Sequence, residues 1–99
     1  MKKIEWEKHK HDYANGSKAV AAGGHIVCMT NWTTDYKVEP HESGFTATVR
    51  VGAKTYSPKK TIVGQYEQEA KDWCEGVANK RVKEMLEAVK EFVEEEKNG

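Results

Sequence analysis

Ninety-nine residues leave no room for a second independent core, so the chain reads as one domain spanning 1–99. Nine aromatics (three Trp, four Tyr, two Phe) within 37% hydrophobic residues exclude a disordered tail. Sixteen basic residues cancel sixteen acidic ones, which excludes a protein that coats nucleic acid through bulk charge but leaves room for a local basic face. No run of about 18 apolar residues occurs, and Met1–Glu7 lacks the apolar stretch of a signal peptide. The expectation is a cytoplasmic chain with no membrane partner.

Along the chain, Lys18–Ala22 is open between an edge strand and a short helix, since alanine favours helix while the Gly23-Gly24 pair stops either. His25–Thr30 follows, apolar on both faces, and suits a buried strand. Tyr36–Glu39 is expected to pair through the Pro40–Gly44 turn as a further strand. The clearest strand is Phe45–Val51, with Phe45, Ala47, Val49 and Val51 on a core face and Thr46, Thr48 and Arg50 on a wet one. Gly52-Ala53 then turns it into Lys54–Ser57 as a hairpin.

Composition changes near Tyr66. Six of the eight glycines and both prolines precede it, and the only later glycines are Gly76 and the terminal Gly99. From Glu67 the apolar positions are Ala70, Trp73, Cys74, Val77, Ala78, Val82, Met85, Leu86, Val89, Phe92 and Val93, in steps that line one stripe of a helix. Acidic residues in the first turn complement the helix dipole, although Gly76 or Asn79 could interrupt the run. The predicted fold is α+β: a β-rich part over 1–66, an antiparallel sheet of three to four strands, packed on a long C-terminal α-helix over 67–97.

A helix of about 30 residues spans about 45 Å, whereas a strand of about six spans only about 20 Å. Val82, Leu86, Val89 and Phe92 are therefore expected to project beyond the sheet, and a homodimer through that segment is the expected cover.

Chemistry-bearing patterns are sparse. His9, His11, Asp12, His25, Cys28 and His41 lack the paired short spacings of a metal site, so no metal or cofactor is expected. Cys28 and Cys74 have no CxxC partner and no nucleophile motif around them, and they read as buried thiols of a non-enzyme. Charge is distributed unevenly: residues 1–66 hold ten Lys/Arg against six Asp/Glu, net +4, and residues 67–99 hold six against ten, net −4. Thr46, Thr48 and Arg50, followed by Lys54, Lys59 and Lys60, form a candidate surface for a phosphate backbone of DNA or RNA. The same residues suit an ordinary solvated sheet face. Glu94-Glu95-Glu96 is a solvated helix end or an acidic contact surface.

Two resemblances follow from these residues. Pro40-His41, Phe45–Gly52, Tyr56, Glu69-Ala70-Lys71, Cys74 and Val77-Ala78 resemble the strand region and last helix of double-stranded RNA-binding domains over residues 36–78. In that family a basic cluster opens the last helix and grips phosphates, and here Glu67-Gln68-Glu69 stands in its place. Secondly, an early Trp, a Phe-x-Ala-x-Val strand, a hairpin and a helix opening on Gln68-Glu69-Ala70-Lys71-Asp72-Trp73-Cys74-Glu75 are similar to small proteins of phages and mobile elements. These include arm-binding modules of integrases and anti-CRISPR and other anti-defence proteins. That resemblance implies a non-catalytic, stoichiometric inhibitor of a host protein or nucleoprotein complex, working in the host cytoplasm.

Overall fold

The computed structural model describes residues 4–9 and 15–98, with the side chains of 96–98 excepted. Five strands, β1 (Glu7–Lys8), β2 (Ser17–Ala21), β3 (Ile26–Asp35), β4 (Glu42–Val51) and β5 (Lys54–Tyr56), form one antiparallel sheet in the order 1-2-3-4-5. One α-helix among the described residues, α1 (Glu67–Asn98), crosses it, which makes the fold α+β. The sheet has one strand more than the three to four expected. Glu7–Lys8 is too short to show a two-residue period, and it exists because it pairs with Lys18 and Ser17.

Tyr36–Glu39 is not a strand. The partner of the first half of β4 is the extension of β3 through Asn31–Asp35, with Trp32 opposite Phe45 and Thr34 opposite Ser43. Tyr36–His41 is the connection, carrying a cis Glu39–Pro40 bond. Lys18–Ala21 resolves into strand, with Ala19 buried opposite Cys28, while Ala22 opens a 3-10 turn over Ala22–Gly24. Gly52 opens the β4–β5 turn at φ 61° while Ala53 keeps a negative φ, the arrangement of a II′ hairpin turn that matches strand twist.

Alternation decides the two faces. Phe45, Ala47, Val49 and Val51 of β4, with Cys28 of β3 and Ala19 of β2, point toward α1 and are buried. The helix meets them with Ala70, Cys74 and Ala78, one residue per turn, each fully buried. Small side chains there let the helix lie close to the strands, while Trp73, Val77 and Val82 close the sides. The ladder continues unbroken through Gly76 and Asn79; a Cβ at position 76 would meet nothing, so that glycine reflects exposure rather than crowding.

The start of α1 is fastened by a polar cluster. Ser17 and Thr30 are buried; the Ser17 N–H donates to Thr30 Oγ1 at 3.0 Å and the Ser17 hydroxyl to Glu67 Oε1 at 2.6 Å. Lys8 and Lys71 also bind the Glu67 carboxylate, Lys71 at 3.0 Å. One helix residue thereby ties β1, β2 and its own next turn. Burial alone would push the Glu67 carboxyl up, but the hydrogen bonds from Lys8, Ser17 and Lys71 outweigh it and hold it at about 2. The N-terminal segment adds a cover: Ile4 enters the core, and Trp6 donates to Glu75 at 3.0 Å beneath the Lys71 ammonium.

The loop after β5 returns across the end of β4. Phe45 N–H donates to Gly64 O and Val63 N–H to Phe45 O, and Ile62 is buried where a side chain at Gly44 would stand, with Cγ2 2.5 Å from that Cβ position. Gly44 is therefore needed for close approach.

The 32 residues of α1 span about 48 Å against about 33 Å for the ten of β4. The last fully buried helix residue is Ala78, and every residue from Lys83 to Glu95 is exposed. The molecule accordingly extends 58 × 29 × 20 Å.

Two outcomes check this packing. Stability conferred by Glu67 is complete above its ordinary value of 4.5 and is lost as pH falls from there toward about 2. Glu67→Gln should flatten that acid limb and cost about 1.5–3 kcal/mol at neutral pH in urea titrations. Gly44→Ala should cost about 1–3 kcal/mol by the same measurement, because the added methyl meets the Gly64 backbone.

Candidate functional site

The face of the sheet turned away from α1 is the one the alternation of β4 singles out. Thr46, Thr48 and Arg50 form a row along it, flanked by Asn31 and Met29 at the register positions opposite Thr46 and Thr48, by Val27 opposite Arg50, and by Thr55 on β5. Val20 stands opposite Val27 and is exposed. The surface mixes hydroxyls, one guanidinium and aliphatic groups. Among the described residues it carries no aromatic platform. Arg50 is exposed and donates to Gly24 O at 3.3 Å, which draws it toward the β2–β3 turn.

The three lysines of the candidate set are not gathered on this row. Lys54 stands opposite Val51, on the helix side of the sheet, because a two-residue turn keeps both flanking residues on one face. Lys60 reaches the far end of β4 but pairs there with Glu42 at 3.8 Å, so its charge is offset. Lys59 is exposed in the returning loop. Glu42 and Ile62, which the sequence reading left out, close that end of the row. Their signal lay in the register of β4 and in the unusual Gly44, rather than in any local motif.

Of the distal helix set, Val82 is half-buried against the core, while Leu86, Val89 and Phe92 are exposed together with Met85 and Val93. These five range from 43% to 64% exposed and lie within three turns of one stripe. Arg81 marks where the stripe leaves the sheet: its guanidinium lies 4.5 Å from the centre of the Tyr56 ring and donates to Glu84 at 3.0 Å.

Among the described residues no three His, Cys, Asp or Glu side chains come together to hold a metal ion. His11 and Asp12 lie outside the described residues. His9 Nε2 is 3.0 Å from Thr30 O, and His41 stacks edge-on to Tyr36 beside Glu39. A groove of about 390 Å³ at the β1–β2 edge is lined by Glu5, Glu7, Lys8, His9, Lys18 and Val20. The groove presents charges of both signs. The two cysteines are buried and free and share one core cluster, with Cys74 Sγ 3.7 Å from both Met29 O and Thr48 O. No described helix is long and apolar enough to cross a membrane.

Comparison with known proteins finds no family model, no curated protein and no solved structure that matches the chain.

Arg50→Ala should leave the fold intact, with a change within about 0.5 kcal/mol in thermal or urea unfolding, since the exposed side chain makes only one long hydrogen bond. A loss of several kcal/mol would show that Arg50 holds the β2–β3 turn in place rather than standing free for a ligand.

Proposed function

We propose that the protein acts by stoichiometric binding, without turnover, and that it does so as a homodimer joined through the distal half of α1. One observation carries this reading: Met85, Leu86, Val89, Phe92 and Val93 are presented to solvent on a helix end that no part of the described chain covers. An isolated helical stretch of this length is marginal in water, so apolar contact with another surface is what would hold it. A second copy suits that surface because Val82, Met85, Val89 and Phe92 follow the three-four-three spacing by which like helices pack. The plate of sheet then remains open for a different partner. By the resemblance of the sequence to small phage proteins, that partner would be a host or defence nucleoprotein complex in the cytoplasm, inhibited by occupancy.

A second reading is a nucleic-acid-binding module, favoured by the row of Thr46, Thr48 and Arg50 on the uncovered face. It requires binding to DNA or RNA that weakens steeply between about 50 and 200 mM salt and falls with Arg50→Ala. Absence of any shift at low salt removes it.

For the favoured reading, sedimentation equilibrium at tens of micromolar should return the mass of two chains. Leu86→Glu with Phe92→Glu should return one chain while leaving the sheet and helix packing unchanged, because neither side chain contributes to the core. A mass of one chain for the unaltered protein would overturn the dimer.

A further inference from the structure

We propose that Cys28 and Cys74 are a closable thiol pair, which forms an intramolecular disulfide under oxidising conditions and staples α1 to β3. The placement follows from the register. Cys28 stands opposite Val49, and the adjacent pair is Met29 opposite Thr48. Cys74 projects from the helix between those strands, its sulfur 3.7 Å from the carbonyl oxygens of both Met29 and Thr48, and Cys28, the residue before Met29, belongs to the same buried face. The two thiols are fully buried in one core cluster, so thiols from solution and from other chains are excluded.

Their protons are unequal. Donation from Cys74 favours the Cys28 thiolate against the opposing effect of burial, while the same hydrogen bond and burial push the Cys74 thiol up. Cys28 is the attacking sulfur and Cys74 the resolving one. With hydrogen peroxide as oxidant, Cys28 sulfur attacks one peroxide oxygen, the O–O bond breaks, and the displaced oxygen leaves as water with the thiol proton. The sulfenic acid on Cys28 is then attacked by Cys74 sulfur. The S–O bond breaks, the second water leaves with the Cys74 proton, and the S–S bond forms. Two thiols lose two electrons, and one peroxide becomes two waters. Burial sets the rate, because the oxidant enters only when the helix lifts locally from the sheet.

The bond would close a loop of about 45 residues and tie the sheet to the element on which its buried face depends. The folded protein is treated with peroxide, quenched, unfolded, alkylated and mapped by mass spectrometry. The expected product is a monomer lighter by two hydrogens, with no alkylated cysteine and with the Cys28 and Cys74 peptides joined until a reductant is added. Its Tm should exceed that of the reduced protein by at least about 10 °C. Cys74→Ser should leave a sulfenic acid on Cys28 that a cyclic dicarbonyl traps. Both thiols remaining alkylatable after native treatment, chain-to-chain linkage instead of an internal bond, or an oxidised form no more stable than the reduced one would each overturn the proposal. The mapping uses the unaltered chain, so it stands even where a serine variant fails to fold.

Discussion

The close seat of Ala70, Cys74 and Ala78 on Cys28, Ala47 and Val49 is the contact from which the rest of the molecule follows. Three small residues, one per turn, remove the bulk that would hold a helix off a sheet, and the thiol of Cys74 comes within reach of strand carbonyls. The cost is a shallow core. Val49 is the largest of the fully buried side chains, and the burial available from such residues is modest. What lies around the seat makes up the difference: Trp6 and Tyr56 cover its flanks through Glu75 and Arg81, and Glu67 anchors its start.

Much of this was legible in the residues. The strict alternation of Phe45–Val51 and the helical stripe from Ala70 onward depend on period alone, and both elements stand where the period puts them. The overhang of the helix was an arithmetic consequence of its length. The extension of β3 was hidden because Asn31–Asp35 lacks apolar alternation: its inward positions, Trp32 and Thr34, face Phe45 and Ser43 at the thin end of the sheet, where burial is partial. Tyr36–Glu39 looked more strand-like by composition and lost to the turn. The candidate basic residues are spread over the surface for a related reason. Residues close in sequence after a hairpin are divided between two faces, so Lys54 leaves the row that Arg50 occupies, and Lys60 meets Glu42, a residue eighteen positions away. Glu67 showed only as a charge suited to a helix start; its partners Lys8 and Ser17 are fifty or more residues distant.

The zero net charge is likewise a sum of unlike parts. The strand-bearing region carries the excess of cations and the helix the excess of carboxylates, and the overhang separates their outer ends along the 58 Å axis. A binding protein of this form holds its two exposed surfaces apart, so the proposed contact at the helix end and one on the open sheet need not compete for space.

The outer margins of the sheet carry one more consequence. On one side lies a two-residue strand, on the other a three-residue strand followed by Ser57-Pro58, and the far part of β4 is capped by the backbone of Val63 and Gly64. On the β5 side little free strand edge is left as a template for a neighbour to extend, and proline cannot donate to one. Growth of the sheet from molecule to molecule is hindered at the β5 border. The fold thus exposes several large apolar side chains on its helix while keeping one of its two sheet borders closed to the open-ended, fibre-forming addition that an unguarded strand would permit.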